Sequence, residues 1–175
     1  MTAGRNDLFA MLERLGIATR TREHDALFSV EEARALRGEI TGAHSKNLFL
    51  KSKKGTLWLV VALETTRVDL NGLAKQMGCG RFSFANAELM ADILGVESGS
   101  VTPFALINDG AVCVNVVLDA ALMAHDELNF HPLENTATTT ISRDDLLAFM
   151  AACGHQPETF DLTSLSATKP KKIEP

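Results

Sequence analysis

The chain has 175 residues, 46% of them hydrophobic and 22% charged, with a net charge of −5. That length suits one domain with a self-sufficient core, and no apolar run approaches the roughly 18 residues that a membrane span needs. Three widely spaced cysteines, Cys79, Cys113 and Cys153, argue against a disulfide framework and for a reducing compartment; residues 1–7 carry no apolar leader, so a cytoplasmic protein is expected. Charge is unevenly spread. Residues 1–81 hold 13 Lys+Arg against 9 Asp+Glu, whereas residues 82–168 hold 1 against 12. In the basic half Lys46, Lys51, Lys53 and Lys54 crowd one hairpin, which reads equally as a solvated turn or a phosphate-facing patch.

Asn6 or Asp7 can cap a first helix whose apolar face is Leu8, Phe9, Met11, Leu12 and Leu15, with Gly16 as its stop. Residues 19–24 alternate as a short edge strand. Ser29 and Glu32 form a capping-box pattern for a second helix ending at Gly38. Leu48–Leu50 and Leu57–Leu63 are then two strands of a buried hairpin around the basic turn 52–55. Asp69 caps a helix closed by Gly78, residues 82–85 are a short extended piece, and Asn86 caps a helix stopped by Gly95. Residues 95–103 are a Gly- and Pro-bearing loop. Residues 104–108 and 112–118 read as strands around an Asp109-Gly110 hairpin turn. After Asp119 a helical turn leads to Glu127–Phe130 and a His131-Pro132 corner. Residues 138–141 are a β-branched strand, and Ser142 caps a final helix ending at Gly154.

Hairpins and helices alternate without regular βαβ spacing. The expected fold is therefore α+β: one domain over residues 1–162, a mixed sheet curled toward a barrel, helices outside. Residues 163–175 read as a disordered basic tail.

Common catalytic frames are missing. There is no phosphate-binding glycine motif, since Gly78-Cys79-Gly80 reads as a helix stop. His44, His125, His131 and His155 sit in no HExxH or C-x-x-C frame, so no metal site is expected. Cys113, in an apolar strand, reads as a buried small hydrophobe. Ser100 lacks a nucleophile elbow. What remains is three polar stretches at strand ends: Lys46-Asn47, the loop Gly99-Ser100-Val101-Thr102-Pro103, and Asn129-Phe130-His131-Pro132 with Asn135 and Thr136. Singly each is an ordinary strand end or connection. Together they suggest one small pocket for an amine or carbonyl ligand.

In order and spacing these stretches resemble the YbaK/ProRS-associated editing domains, most closely the free-standing ProX-type members that deacylate alanine mischarged on proline tRNA. The resemblance runs from the first helix to about Leu162. It implies an aminoacyl-tRNA hydrolase with Lys46 at the terminal phosphate or the ester. Asn47 and His131 would position the substrate as catalytic residues. The loop Gly99, Ser100, Val101, Thr102 and Pro103, together with Asn129, would bind the aminoacyl moiety. It implies no metal and no cofactor, with the water oriented by backbone and by the substrate's ribose hydroxyl.

An aminoacyl ester is already activated, so positioning and a few donors can suffice. A proline site rejects smaller alanine weakly, because a methylene is worth only roughly 1–3 kcal/mol, and a second pocket supplies the missing discrimination. The partner implied is the acceptor end of tRNA(Pro), met by Lys51, Lys53 and Lys54, with prolyl-tRNA synthetase as a second partner and neither DNA nor membrane. The lack of tyrosine and the core-type Trp58 leave little aromatic surface for base stacking. The alternatives are editing of cysteine or serine on tRNA, and a non-catalytic tRNA- or synthetase-binding module.

Overall fold

The computed structural model describes residues 1–26 and 30–165. Its elements in chain order are α1 (Arg5–Arg14), β1 (Arg20–Glu23), α2 (Val30–Arg37), β2 (Ala43–Ser52), β3 (Leu57–Leu63), α3 (Leu70–Met77), β4 (Phe82–Phe84), α4 (Ala87–Leu89), β5 (Val114–Asp119), α5 (Ala120–Met123), β6 (Glu127–Phe130), β7 (Ala137–Ser142), α6 (Arg143–Ala152), β8 (Glu158–Phe160) and α7 (Leu162–Leu165). A π-helical turn, Met90–Leu94, continues α4, and a 3₁₀ helix spans Pro103–Asn108. The eight strands form one mixed sheet in the order β1-β7-β6-β2-β3-β5-β8, with β4 added to β2. The sheet is curved but not closed, so the expected α+β class holds without a barrel.

The β2–β3 hairpin is the centre of the sheet, in register Lys46↔Ala62 and Asn47↔Val61. Side chains alternate between faces along a strand. Phe49, Leu59 and Val61 therefore join one core cluster with α1, α6 and the 3₁₀ helix, while Leu50, Val60 and Ala62 join a second cluster with α3 and α7. Burial on both faces explains the unbroken apolar run of β3. In the first cluster Phe104 meets Phe130 and Phe149 edge-on, at 5.8 and 5.5 Å between ring centroids, a favoured aromatic geometry. Trp58 is half-buried against the second cluster, edge-on to Phe82.

Several caps act as the sequence suggests. Asp69, Asn86 and Ser142 accept bonds from Gly72, Leu89 and Asp145 backbone N–H groups, and Gly78 ends α3 with φ 63°. Elsewhere local signals yield to tertiary ones. The cap of α1 is Gly4, whose N–H donates to Asp7 at 2.8 Å, and Leu15 is exposed. Ser29 of the capping-box pattern lies outside the described residues. Residues 103–108 are helical because Thr102 accepts from Phe104 N–H and Pro103 opens the turn. The Asp109-Gly110 pair makes no hairpin: the Asp109 carboxylate instead accepts the N–H groups of Cys113 and Val114. That leaves Cys113 outside β5 and exposed, not buried. Thr163 to Leu165 belong to the short α7, anchored by fully buried Leu162.

Candidate active site

Strand β2 is clamped at both ends and open between them. Its first residues, Ala43 and His44, pair in parallel with β6, and Leu50–Ser52 pair with β4 on the same edge. His44 C=O accepts from Glu64 N–H, next to β3, whereas Phe49 C=O accepts from Ala85 N–H on the opposite edge. Peptide groups alternate along a strand, so the Asn47 N–H and C=O point into the gap between β6 and β4. Buried peptide groups need partners; here a ligand or solvent must supply them.

A cavity of about 320 Å³ lies along this gap. Five consecutive residues, Ser45–Phe49, border it together with Phe84, Met90, Ser98, Gly99, Val101 and His131. Consecutive residues can line one cavity only from the edge of a strand, since a face would show every second one. Lys46 is half-buried there and has no ion pair or hydrogen bond among the described residues. The loop meets the cavity through Ser98, Gly99 and Val101. Gly99 takes φ +91°, the left-handed region that glycine favours. Ser100, Thr102 and Pro103 turn inward and are buried, so they shape the loop and do not line the cavity.

A second cavity of about 230 Å³ opens beneath α2, between Ala33, Leu36 and Arg37 above and His44, Glu64 and Thr138 below. Ser45, Asn47 and His131 border both cavities and form the partition between them. A hydrogen-bonded chain fixes this partition. Asn129, buried to 3% exposure, donates from Nδ2 to Thr41 C=O at 2.9 Å and accepts from Thr140 Oγ1 at 2.6 Å. The Ser45 hydroxyl donates to Asn129 C=O at 3.0 Å and accepts from Asn47 Nδ2 at 3.4 Å. Asn129 thus orients the site from behind, on the wall of the cavity beneath α2. Gly42 is required beside it, because a Cβ there would stand 3.1 Å from Asn129 Nδ2 and 3.0 Å from Glu127 C=O. Asn129→Ala is expected to destabilise the fold by about 2–3 kcal/mol, since it strands the buried Thr41 and Thr140 groups; urea unfolding measures the loss.

His131 is held by its backbone corner. Leu133 N–H closes a turn onto His131 C=O, and Leu133 itself sits at φ 68°. His131 Nδ1 bonds Ala137 C=O at 2.9 Å, which puts the ring proton on Nδ1 and leaves Nε2 a lone pair. Burial lowers the imidazole's proton affinity below its ordinary 6.5, opposed by the Ala137 bond and helped by the charge of His24. Neutral His131 is an acceptor at physiological pH.

Other side chains lie apart. Lys51, Lys53 and Lys54 are exposed at the far end of the hairpin, and Lys54 Nζ bonds Gly78 C=O at 2.8 Å. Along the strand Lys51 is about 17 Å from Lys46. Burial raises the thiol of Cys79 and pushes Cys153 up to about 11, while partial desolvation and the bond to the Asp109 carboxylate raise that of Cys113, so none is a ready thiolate. Among the described residues no three His, Cys, Asp or Glu side chains gather as a metal-holding group, and no helix is long and apolar enough to cross a membrane. Sequence reasoning missed Phe84, Glu64 and the cavity beneath α2. Phe84, 64% exposed on β4, borders Lys46's cavity; it stands two residues from buried Phe82, so strand alternation alone would have placed it inside.

The open-edged α+β sheet thus gathers a lysine, an asparagine and a neutral histidine around one gap. Residues 24–149 match the family model of the aminoacyl-tRNA editing domain, and the chain belongs to that family. Among its relatives, the mouse prolyl-tRNA synthetase associated domain-containing protein 1 is 40% identical over 158 residues, covering 87% of this chain and 93% of the relative. The prolyl-tRNA editing protein ProX of Acetoanaerobium sticklandii is 33% identical over 156 residues, covering 89% and 95%. A crystal structure described as a candidate trans-editing enzyme for prolyl tRNA synthetase shares the fold, with a TM-score of 0.66 at 21% identity over 91% of this chain and 97% of that one.

Proposed function

We propose that this protein hydrolyses the ester of alanine mischarged on tRNA(Pro). The observation that carries the reading is Lys46, half-buried and without a partner among the described residues at the open edge of β2, with neutral His131 across the same cavity. The ester lies at the partition, its carbonyl oxygen facing the Asn47 N–H and the Lys46 ammonium. Water adds to the carbonyl carbon and the charge that develops on oxygen is met by these two donors. The water is held by His131 Nε2 and the vicinal ribose hydroxyl; its proton passes to the leaving 3′-oxygen as the C–O bond breaks, releasing alanine and intact tRNA. No metal or cofactor takes part in this reading. Hydrolysis rates for Ala-, Pro-, Cys- and Ser-tRNA with purified protein test it: rapid loss of alanine with proline spared supports it, and equal turnover of alanine and proline would sink it.

The 320 Å³ cavity takes the terminal nucleotide in this arrangement, with Phe84 offering a ring face to the adenine. Phe84→Ala is expected to raise KM about ten-fold with little change in kcat, since base–aromatic stacking is worth roughly 1–3 kcal/mol; steady-state kinetics separate the two. Lys51, Lys53 and Lys54 are too distant for the terminal phosphate and would meet acceptor-strand phosphates a few nucleotides away. Reversing all three charges should weaken tRNA binding and reduce the salt slope by about two units, at roughly 0.7 per lost phosphate contact. Filter binding across a salt series reads this. Prolyl-tRNA synthetase, the second expected partner, would capture the same tRNA before or after editing.

A further inference from the structure

The cavity beneath α2 is bordered by two buried polar side-chain atoms that no protein group satisfies among the described residues. Asn47 Oδ1 and His44 Nε2 are both shielded from solvent and lack a hydrogen-bond partner among the described residues. The orientation of the Asn47 amide is set by the chain behind it. Ser45 gives its only hydroxyl proton to Asn129 C=O, so it can only accept from Asn47, which must present Nδ2 to it and Oδ1 elsewhere. Glu64, at the end of β3, adds a carboxylate to the same wall. That carboxylate pairs with Arg37 of α2 through Oε1.

We propose that this cavity is an ammonium site and that Glu64, Asn47 Oδ1 and His44 Nε2 receive the free α-ammonium of the aminoacyl ester. An ammonium has three N–H donors in a tripod, and three acceptors border one cavity, one of them a carboxylate that matches the charge. In the tautomer that carries its ring proton on Nδ1, His44 offers Nε2 as the third. The amino group is one bond from the Cα next to the ester carbonyl, so seating it in this cavity puts the carbonyl at the Ser45–Asn47–His131 partition. Arg37 stays over Glu64 as a rim cation. The site would discriminate by chemistry and not size: a peptidyl-tRNA, whose nitrogen is an amide without positive charge, would lose all three contacts. This inference rests on the deacylase reading.

The test compares Ala-tRNA(Pro), N-acetyl-Ala-tRNA(Pro) and lactyl-tRNA(Pro), which keeps the ester and carries hydroxyl for ammonium. Wild-type protein is expected to cleave the two altered esters at least ten-fold more slowly in kcat/KM. Glu64→Gln, isosteric and able to keep a bond to Arg37, should slow the alanyl ester at least ten-fold while leaving lactyl-tRNA within two-fold. N-acetyl-Ala-tRNA cleaved as fast as Ala-tRNA overturns the proposal, and so does an equal loss on both esters in the variant. Binding of amide-linked 3′-alanylamino-3′-deoxyadenosine against its N-acetyl form, followed by NMR, stands apart from turnover. Selective binding of the free amine with no hydrolysis of any ester would fail the deacylase reading alone, and equal binding of both forms would overturn the ammonium site.

Discussion

Lys46→Ala is expected to lower kcat/KM for Ala-tRNA(Pro) by about a hundred-fold or more, the scale of removing one donor from a developing oxyanion. The reason lies in its surroundings. A surface lysine engaged with a carboxylate would be replaceable, since exposed pairs are worth about 0–1 kcal/mol. Lys46 has no such partner among the described residues and is held half-buried between the hairpin and the Gly99 loop. Burial without a counter-charge is costly for a cation unless a ligand completes it. Lys46→Arg is not expected to rescue, because the planar guanidinium is wider than an ammonium and prefers forked contacts. Lys46→Met keeps the packing of the stem and isolates the charge. Single-turnover deacylation with the three variants measures this, and full activity in Lys46→Met would remove the lysine from the chemistry.

His131→Ala is expected to cost about a hundred-fold in kcat, the lower end of general acid–base contributions, and to remove the acid limb of the pH profile. In the wild type that limb reports the free imidazole and lies below 6.5, because burial disfavours the charged ring. The sign carries over to stability. The folded imidazole binds its proton less readily than the unfolded one, so the unfolded chain takes up the proton first as pH falls. The histidine's share of stability is complete above 6.5 and is lost as pH drops from there through the lower folded value. A kcat/KM profile and thermal melts between pH 5 and 8 are compared for wild type and variant. An acid limb above 6.5 contradicts the burial account.

Much of the fold was legible because strong local signals agree with the packing. The hairpin, the capping Asp69, Asn86 and Ser142, and the amphipathic helices all stand where residue pattern puts them. The failures share one cause, which is side-chain chemistry overriding a short-range motif. Asp109-Gly110 carries a turn signal, yet the Asp109 carboxylate is drawn into Cys113 and Val114 N–H bonds and the neighbouring segment coils into a 3₁₀ helix. The candidate site divides similarly. Lys46, Asn47, Gly99, Val101 and His131 border one cavity as the three stretches implied. Ser100, Thr102 and Pro103 are framework, a role that loop composition does not reveal. Glu64 and Phe84 were hidden because a strand-end carboxylate and an edge phenylalanine look ordinary until the pairing of β2 is known.

The interrupted edge of β2 has a consequence for solubility. A long free strand edge invites pairing with another chain. Here β6 covers the start of the strand and β4 covers its end, so the bare stretch is too short and too recessed for a second strand to enter. The half-buried lysine at its centre adds a charge that an incoming sheet would have to desolvate. The same clamps hold the exposed peptide groups rigid, so a small ligand meets an edge already ordered and loses less freedom on binding. Recognition and protection against aggregation thus come from one gap in the sheet.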